Sequence, residues 1–245
     1  MKHNTPRILL LSAALLTLTA SGSLASSRVA ADAKGAPYPL PNCPVSGQPL
    51  GSDPTILVME DPSNPLNDGR EIRFCCPKCV ASFSADPSKF LPAIDAAIIA
   101  QQSARYPLTY CVVMTEDPLP TAGSPDFDKV KDIVVLNDMI RICCPGCAKK
   151  IKKDPAKFVA MVHAAAIAAQ KKDYPLVTCP ISGEALDADA AEIVIGERLV
   201  RLCCDGCAKK ARANPTAIFA KLDAAAAPKA APATPATPAT PAKTK

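Results

Sequence analysis

Three short runs of alternating polar and apolar character punctuate the chain: Glu71-Ile72-Arg73-Phe74, Met139-Ile140-Arg141-Ile142 and Leu199-Val200-Arg201-Leu202. Residues two apart on a strand share a face, so each run predicts a β-strand with one apolar side. Soon after each strand, Val80 to Ser84 and its counterparts predict one or two turns of helix. Then comes Asp86-Pro87, Asp154-Pro155 or Asn214-Pro215, a helix-capping side chain followed by proline at the first helical position. A second, Ala-rich helix is expected from each of these points. In the middle stretch it should run to about Lys171 with Phe158, Met161 and Val162 on its apolar side, and in the first stretch Pro92 should kink or delay it. The pattern is α+β, with a hairpin followed by a short and a long helix.

This pattern recurs because the chain repeats itself. Tyr-Pro-Leu begins at Tyr38, Tyr106 and Tyr174, and five residues after each Tyr stands a cysteine, Cys43, Cys111 or Cys179, with a period of 68 residues both times. Each copy continues to a Cys-Cys-x-x-Cys cluster: Cys75, Cys76 and Cys79; Cys143, Cys144 and Cys147; Cys203, Cys204 and Cys207. The copies occupy residues 37–103, 105–172 and 173–226 and use all 12 cysteines. From loop cysteine to cluster is 32 residues in the first two copies and 24 in the third. The difference is expected to be a hairpin extension, because Asp61-Pro62-Ser63-Asn64-Pro65 and Gly123-Ser124-Pro125-Asp126 carry turn chemistry.

Composition explains why cysteine should matter. Of 245 residues 49% are apolar, but there are only 6 Phe, 4 Tyr and no Trp, and much of the remainder is Ala. Units of this size with so few large side chains need a staple beyond apolar packing. A tetrahedral thiolate metal site in each copy would provide one; Zn(II) accepts four thiolates without geometric strain. Disulfides are the second reading, opposed by the strain of a bridge between adjacent cysteines. A thiol redox pair at Cys76 and Cys79 is the third, and it lacks a thioredoxin-like βαβ context. Arg73, Arg141 and Arg201, each two residues before its cluster, are expected either to lend positive potential to the thiolates or to face solvent.

Cys43-Pro-Val-Ser-Gly, Phe74-Cys-Cys-Pro-Lys-Cys79 and Phe83-Ser-Ala-Asp-Pro-Ser-Lys-Phe90 together resemble the YHS and TRASH group of small metal-binding domains. The resemblance implies three treble-clef or zinc-ribbon-like modules linked to heavy-metal and copper handling. Its three-cysteine pattern maps onto Cys43, Cys75 and Cys79; Cys111, Cys143 and Cys147; Cys179, Cys203 and Cys207. Many relatives carry a second loop cysteine where this chain has Ser46 and Ser182. The extra cysteines Cys76, Cys144 and Cys204 either restore a fourth thiolate or, since strand alternation puts them on the side of Phe74, Ile142 and Leu202, are small core residues. The middle copy departs further, with Cys111-Val-Val-Met-Thr in place of the Cys-Pro-x-Ser-Gly of the other loops.

The first 25 residues, with Lys2 and Arg7 before an apolar run and Ser23-Leu24-Ala25 at its end, read as a secretory signal peptide. No later run is long and apolar enough to span a membrane, so no stable span is expected after cleavage. Residues 228–245, rich in Pro, Ala and Thr, read as a disordered tail. The formal charge of +5, without a basic stripe interleaved with aromatics, gives no support for nucleic-acid binding. His163 lies in the long helix without a visible partner, Glu60-Asp61 and Glu116-Asp117 read as turn residues, and no phosphate-cradling glycine loop is present. The expectation is an exported, periplasmic or secreted, non-enzymatic protein. It should hold about one Zn(II), or Cu(I) or another soft metal, per module. The alternative is an interaction scaffold for another exported protein, with purely structural Zn or disulfides.

Overall fold

A computed structural model of the chain describes residues 35–227, so the expected signal peptide and tail lie outside the described residues. The first module contains β1 (Thr55–Val58), β2 (Glu71–Phe74), α1 (Pro77–Ala85) and α2 (Leu91–Gln102). The second adds a small hairpin, β3 (Tyr110–Cys111) and β4 (Met114–Pro118), before β5 (Lys131–Val135), β6 (Asp138–Ile142), α3 (Pro145–Ile151) and α4 (Pro155–Gln170). The third consists of β7 (Ala191–Ile195), β8 (Arg198–Leu202), α5 (Asp205–Ala213) and α6 (Pro215–Ala226). All the sheets described are two-stranded and antiparallel. The fold is mixed α+β with three repeated modules.

The caps act as their chemistry requires. The Asp154 side chain accepts from the Lys157 backbone N–H at 3.2 Å, and Asn214 accepts from Ala217 at 3.1 Å. In the first module a short 3-10 turn, Pro87–Lys89, comes before α2, and Pro92 sits in that helix's first turn, so the helix is delayed rather than kinked. The buried face of α4 is Val159, Val162 and Ala166, while Phe158 and Met161 are half-buried beside it. The turn reading of Glu116-Asp117 is corrected: both lie on the exposed strand β4.

The common hairpin extension is also corrected, because the 32-residue spacing arises in two ways. In the first module the added length is the β1–β2 connection, where Asp61 accepts from the Ser63 hydroxyl and the Asn64 N–H. In the second it lies ahead of the main hairpin, in β4 and the turns that follow. The main hairpins of modules two and three reverse in two residues each, Leu136 (φ 52°) with Asn137 (φ 78°), and Gly196 (φ 57°) with Glu197 (φ 61°). Positive φ at both central positions matches the twist of the flanking strands.

These hairpins are apolar on the inner face and, at the turn end, on the outer face as well. Ile140 and Ile142 enter their own module's core, while Met139, on the opposite face and fully buried, meets α2 of module one. In module three Val200 and Leu202 face inward and Leu199 lies under α4 of module two. The long helices α2 and α4 therefore each cover the hairpin of the next module. A glutamine near the end of each fixes the register: Gln102 donates to the Asn137 carbonyl (3.0 Å) and accepts from the Met139 N–H (2.6 Å). Gln170 does the same to Glu197 (2.8 Å) and Leu199 (3.0 Å). In module one the corresponding outer face carries Glu71 and Arg73, and Arg73 donates to the Arg212 and Ala213 carbonyls at the end of α5, both at 2.6 Å. The third module thus closes back on the first.

Candidate metal centre

Each loop cysteine is held by a tight turn. The Cys43 N–H donates to Gln48 and its carbonyl accepts from Gly47, and Cys179 makes the same bonds with Glu184 and Gly183. Gly47 (φ 72°) and Gly183 (φ 80°) occupy left-handed backbone that a side chain would strain. The second module has no glycine there. Its Cys111 instead lies on β3 directly opposite Met114 on β4, with the chain reversing at Val112-Val113.

The cluster cysteines sit where a strand gives way to a helix. Strand β2 ends at Phe74, Cys75 bends the chain, Cys76 is the extended N-cap of α1, and Cys79 lies in that helix's first turn. The same arrangement recurs at α3 and α5. The outcome is three triads: Cys43, Cys75 and Cys79; Cys111, Cys143 and Cys147; Cys179, Cys203 and Cys207. Within each, all Sγ atoms lie within 4.8 Å of one another. The closest separations are 3.7 Å for Cys75–Cys79, 3.6 Å for Cys143–Cys147, 3.7 Å for Cys111–Cys147 and 3.6 Å for Cys203–Cys207. Thiolates arranged tetrahedrally at about 2.3 Å around a metal stand about 3.8 Å apart, so this spacing fits a bound ion. It is far too long for a sulfur–sulfur bond of about 2.05 Å, and all twelve described cysteines are free.

The second cysteine of each adjacent pair stands outside its triad. Cys76 and Cys144 are half-buried and pack on the edge of their modules' cores, whereas Cys204 is exposed, so only in the third module is the expectation of a core residue corrected. Cys76 and Cys144 stay beside the clusters that hold Phe74 and Ile142, while Cys204 is not part of the cluster that holds Leu202. They remain close, with Cys76 3.5 Å from Cys79 and Cys144 3.8 Å from Cys147. In two modules a loop hydroxyl also touches a triad sulfur, Ser46 Oγ at 3.3 Å from Cys75 Sγ and Ser182 Oγ at 3.3 Å from Cys203 Sγ.

Local hydrogen bonding favours the thiolate at the loop cysteines and at the second cysteine of each pair, while Cys79, Cys143, Cys147, Cys203 and Cys207 are held up as thiols. Burial pushes Cys43 up, but donors from the Ser46 side chain and from the Cys75, Ser46 and Val45 backbone outweigh it and bring its pKa down to about 6. Cys179 also falls to about 6, with burial opposed by the Ser182 and Cys203 backbone, the Ser182 hydroxyl and Ile181. Cys111 is lowered as well, burial being overcome by the Cys143, Val113 and Met114 N–H groups and the Cys143 thiol. Cys76, Cys144 and Cys204 are lowered chiefly by the backbone N–H of the helical cysteine three residues on. Cys79 is driven up to about 12 by its hydrogen bond with Cys76 and by burial. A neighbouring thiol therefore holds the proton that a cation would displace.

The arginines neither serve the sulfurs nor face solvent freely. Arg73 pairs with Glu71 at 2.6 Å, Arg141 with Asp132 at 2.7 Å and Arg201 with Glu192 at 3.2 Å. Arg141 and Arg201 also stack over Tyr106 and Tyr174, which joins the repeated Tyr-Pro-Leu to the repeated arginine. His163 has a partner after all: its Nε2 lies 2.8 Å from Asp138 Oδ1, at the start of β6. None of the helices among the described residues is long and apolar enough to cross a membrane. Comparison with protein-family models, with curated proteins and with solved structures found no match to the chain.

Proposed function

We propose that this is an exported, non-enzymatic metal-binding protein whose three modules, treble-clef-like and akin to the YHS and TRASH group, each hold one thiophilic ion. The observation that carries this reading is the threefold recurrence of a cysteine triad at metal-ligand spacing. Zn(II) and Cu(I) both suit such donors. Each triad has one half-buried cysteine beside two buried ones, so the ion is reachable from solvent, as handling or sequestration of a heavy metal or copper requires. Ions serving only to hold an interaction scaffold together would exchange slowly.

The test is metal content and free-thiol count on protein purified without added metal or reductant, repeated on single variants. About one ion per triad and no disulfides support the reading, whereas no metal and no free thiols overturn it. The geometry expects Cys75→Ser to lose the ion of module one and Cys76→Ser to keep it. Loss in Cys76→Ser alone would exchange the roles of the two cysteines.

A further inference from the structure

The three centres are not equivalent. Three residues after the loop cysteine the first and third modules place Ser46 and Ser182, whose hydroxyls touch the triad, and the second places Met114. We propose that Met114 is a fourth, thioether ligand, making the second centre a selective site for a soft monovalent ion, Cu(I) or its analogue Ag(I). This rests on the triads being metal sites and assigns one of them its ion class.

Three observations carry the assignment. Met114 pairs directly across the β3–β4 hairpin from Cys111, and side chains opposite one another on an antiparallel pair project to the same side. Its sulfur is therefore on the side of a triad thiol. Met114 is also 40% exposed, one of only three large apolar side chains so exposed among the described residues, and it lies outside the core built around Cys111. Packing does not account for it. Finally, its Sδ lies 4.0 Å from Lys150 Nζ, so the thioether is within reach of a side chain of α3, the helix that carries Cys147. A neutral, polarisable thioether is a soft donor that suits Cu(I), whereas a serine hydroxyl is a hard one. The same chain position thus offers opposite donor classes in neighbouring modules.

The test uses the full reduced chain with methionine methyl groups labelled with carbon-13 and titrated with Ag(I), then in parallel with Zn(II). The Met114 methyl resonance is assigned by its loss in Met114→Ser; Met139, fully buried and outside the clusters that hold the triads, serves as internal reference. The expected result is a shift of the Met114 methyl with Ag(I) and none with Zn(II). Met114→Ser should also weaken one Ag(I) site by about tenfold or more against a competing chelator, the scale on which a supporting ligand interaction acts. Ag(I) bound by all the triads with the Met114 methyl unmoved would overturn this inference and leave the triads standing as metal sites. An equal shift with Zn(II) would overturn the selectivity. No Ag(I) bound to free thiols would sink the inference together with the reading beneath it.

Discussion

One pair of positions links the hairpin to the long helix in every module, and its chemistry inverts in the middle. Arg70 pairs with Asp95 at 2.8 Å and Arg198 with Asp223 at 2.6 Å, but in the second module the acid is on the hairpin, Asp138, and the base on the helix, His163. Beside it, Glu197 from the turn of the third module is fully buried with neither carboxylate oxygen hydrogen-bonded. Burial, and then the charge of Asp138, raises its pKa from 4.5 to about 8. Folding therefore favours neutral Glu197. Its full contribution is present below about pH 4.5 and is lost as pH rises through about 8, at up to about 1.4 kcal/mol per unit. Glu197→Gln, which mimics the neutral form, should gain on the wild type by up to about 3 kcal/mol between pH 5.5 and 8 in urea unfolding at matched metal loading. A pH-independent difference would show that Glu197 is not buried as an acid. Repetition marked the four cysteines of each module in the sequence, though not which three of them come together, and the Glu197 cluster it did not mark at all. Asp138 and His163 are 25 positions apart, and Glu197 comes from another module.

At the scale of elements, legibility followed locality. Helix starts were readable from Asp154 and Asn214 because a cap and a proline act within one turn. The main turn of module two was not, because Leu136 is a poor candidate for positive φ and the turn-rich Gly123 to Asp126 drew the assignment away. Strand alternation identified one apolar face correctly. That Met139 and Leu199 make the other face apolar follows only from the neighbouring helices α2 and α4. The glutamine clamps make this docking directional, since each satisfies one carbonyl and one N–H that the turn leaves free. In Gln102→Ala the buried Met139 amide loses its acceptor, at a cost of about 1–3 kcal/mol. Hydrogen exchange should accelerate at Met139 and leave Leu199, clamped by Gln170, protected. Equal acceleration at both amides would mean that the clamps do not act module by module.

The whole molecule is a closed set because the ends of the repeat differ from its middle. Module one has the long Met59 to Arg70 connection where the later hairpins present a clamped turn, and among the described residues module three has no glutamine to offer a further copy. The unmatched faces meet through Arg73. Its guanidinium is almost fully buried, pairs with the buried Glu71, and satisfies two carbonyls at the C-terminal end of α5, where cationic donors are favoured. Cores are shared as well: Val134 of module two lies in the core of module one, and Leu66 of module one packs on that of module two. With so few aromatic side chains, no module has enough apolar surface to stand apart, and cooperative unfolding of all three is expected. Arg73→Ala tests the closure. It leaves Glu71 charged and buried and two helix-end carbonyls open, a loss of about 3–5 kcal/mol for breaking a buried pair. The variant should lower the urea midpoint of the single transition and increase exchange at both ends of the chain, in β2 and in α5. If β2 loosens while α5 keeps its protection, the contact belongs to module one alone and the ring is not closed by it.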